Sequence, residues 1–245
     1  MTNLNTSDEI HDFTAAEYMI VNMARMLSDA DNAFMGVASN IPFFAIWLAK
    51  EIYNPGLEWL NIPGRVNPKP SMAPKSTVDF QFLQHPESCL TLADIFDMAA
   101  RGELDVSFLS GVQIDRFGNF NLSHIPDKDR VRIQFTGGAG SALLCANTRR
   151  VIFWRTRHDK RSFVNRCSVV TASGNIYKVV SPLAIFNKKD GVLNLESVNP
   201  HSGFKEVSDS TDFPLNEAPF TERPTVEELE TLRQFDRDNI RDIEF

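Results

Sequence analysis

Strands and helices alternate in the first half of the chain, and this alternation limits the folds that the sequence can adopt. The apolar run "AFMGVA" (33–38) is followed by "SNIPFFAIWLAKEIY" (39–53), in which Pro42 fits the first turn of a helix. The strand-like "LEWLN" (57–61) and the helix-like "TLADIFDMAARG" (91–102) repeat this order. Because parallel strands need crossover connections, the pattern predicts an α/β fold with an open, mainly parallel sheet and flanking helices.

Further β-branched and aromatic runs follow from residue 104 onwards. We expect strands at "LDVSFLS" (104–110), "RVRIQF" (130–135), "RVIFW" (150–154), "CSVVT" (167–171) and "VVSPLAIF" (179–186). No helical pattern lies between the last two of these runs, "CSVVT" and "VVSPLAIF". Antiparallel hairpins are therefore predicted after about residue 165.

Two further helices are predicted near the ends of the chain. Thr14 and Glu17 have the spacing of a capping box at the start of an amphipathic helix, and "PTVEELETLRQF" (224–235) has a proline and an acidic first turn. The chain has 245 residues, 42% of them hydrophobic, which suffices for one large core. We predict a single α/β domain over residues 1–207 and an acidic C-terminal segment, 208–245, that carries the terminal helix.

Composition excludes several classes of function. A net charge of −7 disfavours general binding to nucleic acids or anionic membranes. The acidic, polar start of the chain lacks the pattern of a signal peptide, and no apolar run is long enough to span a bilayer, so a cytoplasmic protein is expected. Cys89, Cys145 and Cys167 form no CxxC pair and the histidines show no ligand spacing, so we expect reduced, buried thiols and no metal site.

The heptad "QIDRFGN" (113–119) is unusually polar for the end of a strand. One interpretation is a hairpin in which Asp115 accepts backbone N–H bonds and Gly118 supplies the turn. The other is that the heptad belongs to a site. Gln113, which ends the strand, is the residue expected to face a ligand.

The stretch "TGGAGSA" (136–142) lies between a predicted strand and a predicted helix. Adjacent glycines let backbone N–H groups converge on an oxygen atom, because no Cβ blocks its approach. The stretch matches neither a dinucleotide fingerprint nor a P-loop. A tight turn without a ligand therefore remains an equal alternative.

A basic run, "RRVIFWRTRHDKRSFVNR" (149–166), holds seven Arg or Lys residues in an otherwise acidic chain. It fits a solvated strand pair, a seat for an acidic ligand or an interface with an acidic chain. His158 and Asp159 are adjacent, and on a strand they would point to opposite faces, which disfavours a catalytic dyad.

Taken in order, four motifs resemble the β subunit of family I CoA-transferases of the glutaconate type. They are "GVQIDRFGNFN", "TGGAGSA", "HDKRSFVNRCSVVTASG" and "NPHSGFKEVSDSTDF". The sequence is similar also to the β subunit of the CoA-thioester hydrolase that opens the last rings in bacterial steroid degradation. The resemblance implies a partner α subunit in a heterodimer or heterotetramer, an active site at their interface and acyl-CoA as substrate, with no permanently bound cofactor.

The resemblance also implies roles for individual residues. The backbone of Gly137, Gly138, Ala139 and Gly140 would form an oxyanion hole for the thioester oxygen. Gln113, Ile62 and its neighbour Asn61 would belong to the substrate pocket. The resemblance places Ile62 where transferases of this type carry a nucleophilic glutamate. Glu58 would lie about 13 Å from that position along a strand, which is too far to replace it.

Three functions follow as hypotheses. The leading one is a hydrolase that cleaves a ring C–C bond of a cyclic β-oxo acyl-CoA in steroid-type catabolism, with the catalytic glutamate in the α subunit. An alternative is a true CoA-transferase that moves CoA from an acyl-CoA to a carboxylate. A third is a catalytically silent subunit that completes the partner and binds CoA.

Overall fold

The computed structural model describes residues 12–127 and 130–245, and within these it leaves the side chain of Arg132 undescribed. Residues 1–11, to which the prediction about a signal peptide refers, lie outside the described residues. The helices are α1 (Ala15–Arg25), α2 (Asn40–Ile52), α3 (Leu92–Ala100), α4 (Ser141–Asn147), α5 (Phe204–Ser210) and α6 (Val226–Phe235), with short 3₁₀ turns at Phe80–Leu83 and Ile240–Asp242.

Fourteen strands occur in the described part of the chain. They are β1 (Asn32–Met35), β2 (Glu58–Asn61), β3 (Arg65–Val66), β4 (Ser88–Cys89), β5 (Val106–Leu109), β6 (Gln113–Asp115), β7 (Phe120–Asn121), β8 (His124–Asp127), β9 (Arg130–Gln134), β10 (Arg150–Trp154), β11 (Phe163–Val164), β12 (Ile176–Val180), β13 (Ala184–Lys189) and β14 (Val192–Val198).

Nine of these described strands form the main sheet, in the order β14-β13-β12-β10-β5-β1-β2-β3-β4. The five central strands, β12 to β2 in that order, are parallel. Antiparallel strands extend both edges, β13 and β14 at one and β3 and β4 at the other. The open, mainly parallel sheet and the antiparallel pairing late in the chain are as predicted.

The sheet separates two apolar cores. Successive strand residues point to opposite faces, so Ile152 and Trp154 pack with α1, α2 and α6, whereas Val151 and Phe153 pack with α3, α4 and α5. Aromatic rings fill the first core: Phe43 contacts Trp59 and Phe82, with ring centroids 5.5 and 5.2 Å apart. The layered arrangement is therefore helix, sheet, helix.

Two of the strand predictions need correction. Residues 167–171, "CSVVT", form no strand, because backbone groups there are used elsewhere: the N–H of Cys167 donates to the Asp115 carboxylate and that of Thr171 to the carbonyl of Phe120. Residues 179–186 are two strands rather than one, since Ser181 turns the chain by accepting from Ala184 N–H between β12 and β13.

The helix predicted in the C-terminal segment is present as α6 and is capped by Thr225. It packs on α1 and α2, with the ring of Phe235 stacked on Trp47 at 4.0 Å. Two ion pairs join α1 and α6 reciprocally: Glu17 with Arg233, and Glu228 with Arg25, each at 2.7 Å. The segment is therefore fastened to the α/β core, while the division at residue 207 stays a prediction.

None of the helices in the described part of the chain combines the length and apolar character that a membrane-spanning segment needs.

The three cysteines are free thiols, as predicted. Cys145 and Cys167 are buried, and burial raises the pKa of Cys145 to about 11. The prediction of burial was wrong for Cys89, which lies exposed on edge strand β4.

Candidate functional site

A cavity of about 570 Å³ opens at the carboxyl ends of β1, β5 and β10, the edge of a parallel sheet where α/β proteins bind ligands. Its wall comprises the turn after β1, the loop after β5, the glycine-rich turn before α4, and residues of β10, α3 and α4. The lining residues include Ala38, Ile62, Phe96, residues 136–141 and Arg155.

Most of the side chains that form this wall are apolar. They include Phe34, Val37, Leu109 and Trp154. Among the described residues that line the cavity there is no Asp, Glu, His or Cys. The cavity can therefore enclose a hydrocarbon group and donate backbone hydrogen bonds, but its own wall offers neither a general base nor an acidic nucleophile.

The residues of the glycine turn line this cavity, and their backbone N–H groups differ in whether they are hydrogen-bonded. The N–H of Gly137 is already used, because it donates to the carbonyl of Leu122 at 2.9 Å. No described residue accepts a hydrogen bond from the N–H of Gly138, Ala139 or Gly140. The role of the turn as an oxyanion hole stays a prediction, and these three N–H groups are the ones without an acceptor among the described residues.

Close packing fixes the shape of this turn. A Cβ on Gly138 would lie 2.5 Å from Cγ2 of Thr171, and one on Gly140 would lie 2.2 Å from the ring of Phe96. Ala139 has a positive φ of 44°, and Ala38 across the cavity has a φ of 52°. Such conformations cost about 1 to 3 kcal/mol for residues with a Cβ and cluster at functional sites.

Ile62 and Asn61 differ in their relation to the cavity. Ile62 lines it, directly after β2. Asn61 is fully buried: its Oδ1 accepts the backbone N–H of Arg65 at 2.9 Å, and its Nδ2 has no partner among the described residues. Ile62 therefore lines the cavity and Asn61 is not among its lining residues, while a contact of either residue with substrate stays a prediction.

Gln113 does not line the same cavity as the glycine turn. It lies in a neighbouring cavity of about 450 Å³, and the two cavities share Arg155. Its Oε1 accepts from Asn121 at 3.0 Å and from the hydroxyl of Ser168 at 3.1 Å. A ligand role for Gln113 stays a prediction.

The rest of the polar heptad is a turn, as one interpretation of the sequence held. Asp115 is buried and its Oδ1 accepts the N–H groups of Phe117 and Asn119, at 2.9 and 3.0 Å. Gly118 has a φ of 75°, which a residue with a Cβ adopts only with strain. These bonds hold the hairpin between β6 and β7 and thereby fix Gln113 at its base.

Arg155 lines both cavities, although no sequence pattern singled it out. It is half-buried at the boundary of the two cavities, directly after β10. Burial lowers the pKa of its guanidinium, and the charge of Asp159 opposes that shift. The basic run around it was the available signal, but the run alone could not show which of its seven cations faces inward.

His158 is held in place rather than set against a reactive group. Its Nδ1 lies 2.8 Å from Oγ of Ser181, its Nε2 lies 2.9 Å from Oγ1 of Thr211, and its ring stacks on Phe163 at 3.8 Å. Desolvation lowers the pKa of His158 to about 3, although the charge of Asp159 opposes this. The ring is therefore a neutral anchor for the loop that follows β10, and no pairing with Asp159 is formed.

This anchor predicts a pH dependence of stability. The unfolded chain protonates His158 below about pH 6.5, whereas the folded chain does not until about pH 3. The free energy of unfolding should therefore fall as the pH drops from 6.5 to 5, and His158→Asn should flatten that slope. Urea unfolding at several pH values measures it. Equal slopes in His158→Asn and in the exposed control His85→Asn would contradict the prediction.

Comparison with known proteins places the chain in a family. The model of the family described as "Coenzyme A transferase" matches residues 48–198. The chain belongs to the coenzyme A transferase family. The matched region runs from α2 to β14 and includes the glycine turn, so the family that the sequence motifs indicated is confirmed.

Individual members of this family, and proteins of the same fold, differ in chemistry. The chain is similar to one subunit of the 3-oxoadipate CoA-transferase of Pseudomonas knackmussii, with 24% identity over 90% of this chain and 92% of the relative. It is similar to the cholesterol ring-cleaving hydrolase IpdB subunit of Mycobacterium tuberculosis, with 29% identity over 64% of this chain and 70% of the relative. The solved structure of the decarboxylase AibA/AibB superposes with a TM-score of 0.89 and 26% identity, covering 95% of this chain and 99% of that one. The fold predicted from the sequence is confirmed.

Proposed function

We propose that this chain is the β-type subunit of a heteromeric enzyme that hydrolytically cleaves a ring C–C bond of a cyclic β-oxo acyl-CoA. The observation that carries the proposal is the wall of the cavity at the glycine turn. Ile62 and three residues whose N–H groups have no acceptor line it, and its described lining residues include no carboxylate. CoA enters as part of the substrate.

The missing acid or base has to come from a partner chain. The cavity supplies apolar enclosure and oxyanion donors, so it supports half of an active site. AibA/AibB is named for two chains, and the relatives from Pseudomonas and Mycobacterium are named as subunits. A partner α subunit, in a heterodimer or heterotetramer, would close the cavity and contribute the carboxylate.

The proposed reaction has two steps. A carboxylate of the partner takes a proton from water, and the water oxygen bonds to the ring ketone carbon. The adjacent C–C bond then breaks and its electron pair is delocalised into the thioester. The carbanion takes the proton back from the partner's carboxyl group, and the former ketone carbon becomes a carboxylic acid that loses its proton to solvent. The N–H groups of Gly138 and Ala139 would stabilise the negative charge on the thioester oxygen. Ile62 would contact the hydrocarbon ring.

Two rival reactions have specific support. The Pseudomonas relative is named as a CoA-transferase, and transfer here would need a nucleophilic carboxylate from the partner because Ile62 cannot attack a thioester. AibA/AibB is named as a decarboxylase, and decarboxylation also forms a carbanion that oxyanion donors stabilise. All three reactions use the glycine turn, so products must separate them.

The test is product analysis with the reconstituted complex. A cyclic β-oxo acyl-CoA is incubated in ¹⁸O water with acetate present as a possible CoA acceptor. We expect ¹⁸O in a new carboxylate, with CoA retained on the product. Acetyl-CoA, together with an enzyme-bound thioester trapped by hydroxylamine, would contradict hydrolysis in favour of transfer. A second substrate, an acyl-CoA with a free carboxylate whose loss leaves a thioester-stabilised carbanion, tests the third reaction. Release of CO₂ from it, with no ring cleavage of the β-oxo substrate, would contradict hydrolysis in favour of decarboxylation.

A further inference from the structure

Cationic residues form much of the lining of the cavity beside the glycine-turn cavity. It has a volume of about 450 Å³, and its apolar lining residues include Ile125, Ile133 and Phe135. Four cationic residues also line it: Arg155, Arg157, Lys160 and Arg161. The one acidic residue among the described lining residues is Asp159. The wall therefore carries three more positive than negative charges, within a chain of net charge −7.

Asp159 cannot neutralise this wall. Its Oδ1 accepts the backbone N–H groups of Arg161 and Ser162, at 3.0 and 2.9 Å, and so shapes the loop itself. Its ion pairs with Arg157 and Arg161 are long, at 3.9 and 3.5 Å, and both arginine side chains are largely exposed. Loose surface pairs of this kind are weak, because water and salt screen them. Positive charge is left over to face the cavity.

Arg155 differs from the other three cations. Its Nε is buried and has no hydrogen-bond partner among the described residues, although a buried donor left unpaired is destabilising. Among the described residues, no carboxylate lies within 4.0 Å of its guanidinium. It also lines both cavities, so a group bound to it would adjoin a group held at the glycine turn. These features indicate that the guanidinium of Arg155 can bind an anionic ligand.

We infer that Arg155 and the adjacent basic wall form a subsite for an oxyanion group, carboxylate or phosphate, of the same acyl-CoA substrate. The inference rests on the proposed function for the identity of the ligand. Arg155 would form a charge-assisted bond to the anion. Arg157, Lys160 and Arg161 would raise its local concentration.

Steady-state kinetics with two substrates distinguish a carboxylate of the acyl group from a phosphate of CoA as the anion that Arg155 binds. The reconstituted complex is given two thioesters of equal length, one ending in a carboxylate and one ending in a methyl group. With Arg155→Gln, a carboxylate subsite predicts that the ratio of kcat/KM for the acidic over the neutral ester falls at least tenfold. A phosphate subsite predicts an equal rise in KM for both esters and at least tenfold weaker inhibition by adenosine 3′,5′-bisphosphate. Arg155→Lys should restore part of either loss.

The control is Arg237→Gln, which removes the same charge from an exposed position outside both cavities. It should change neither ratio nor inhibition. The inference is overturned if Arg155→Gln behaves like this control, or if it acts only by preventing assembly with the partner, measured by analytical ultracentrifugation. Calorimetric titration of the complex with glutarate and with adenosine 3′,5′-bisphosphate tests the subsite without turnover. Loss of one titration in Arg155→Gln would support the subsite even if the complex cleaved no ester and the proposed function failed.

Discussion

Replacing Glu17 by Gln is expected to lower the free energy of unfolding by about 3 kcal/mol. Glu17 is fully buried, and its carboxylate meets Arg233 at 2.7 Å and Arg241 at 3.1 Å. Gln still fits the third position of a capping box, so the helix start is retained and the change isolates the charge. The loss is large because it leaves guanidinium groups without their buried partner.

The pH dependence of this effect has a defined sign. Burial alone would raise the pKa of Glu17, but hydrogen bonds from Arg233 and from the backbone of Thr14, with the nearby arginine charges, lower it below its ordinary value of 4.5. The stabilisation is therefore present above pH 4.5 and is lost as the pH falls through the lower, folded-state pKa. Wild type and Glu17→Gln should converge in stability on acidification.

Thermal and urea unfolding measure the change. A loss of about 3 kcal/mol corresponds to a fall in Tm of about 6 to 12 °C for a chain of this size. Glu230→Gln removes an exposed charge from α6, the helix that carries Arg233, and should leave Tm within about 1 °C. If Glu17→Gln and Glu230→Gln shifted Tm equally, the ion pairs between α1 and α6 would not fasten the C-terminal segment.

Replacing Gly138 by Ala is expected to reduce kcat of the reconstituted complex about 10²-fold. The new Cβ would lie 2.5 Å from Cγ2 of Thr171, so the turn has to shift. Thr171 has little freedom to move, because its Oγ1 accepts the N–H of Leu122 at 2.8 Å and lies 2.7 Å from Oγ of Ser123. The shift would therefore displace the N–H groups of Gly138 and Ala139 from the thioester oxygen.

A second substitution provides a matched control. Thr171→Ser removes Cγ2 and keeps the hydroxyl, and the next nearest Thr171 atom lies 4.0 Å from the added Cβ. The double variant Gly138→Ala with Thr171→Ser should therefore regain most of the lost kcat. Turnover unchanged by Gly138→Ala, in a complex that assembles normally, would instead make this chain a catalytically silent subunit.

Several features could be predicted from local sequence because local chemistry decides them. Thr14 with Glu17 and Thr91 with Asp94 both form capping boxes, since the bonds involved join residues three positions apart. The hairpin at Asp115 is equally local. Where distant residues accept the hydrogen bonds, prediction failed: residues 167–171 look like a strand, yet the N–H of Cys167 donates to Asp115 and that of Thr171 to Phe120.

The sequence by itself determined the order of strands and helices, the family, and the glycine turn at 137–140, because periodicity, caps and motif order are written along the chain. Only the tertiary structure decided which groups meet. Ile62 and the glycine turn line one cavity, and Gln113 lines the neighbouring one. Of the seven cationic residues in the basic run, Arg155 is the one that lines both. The physical reason is that these contacts join the ends of strands far apart in the chain, and no local pattern encodes which way each side chain points once the strands are paired.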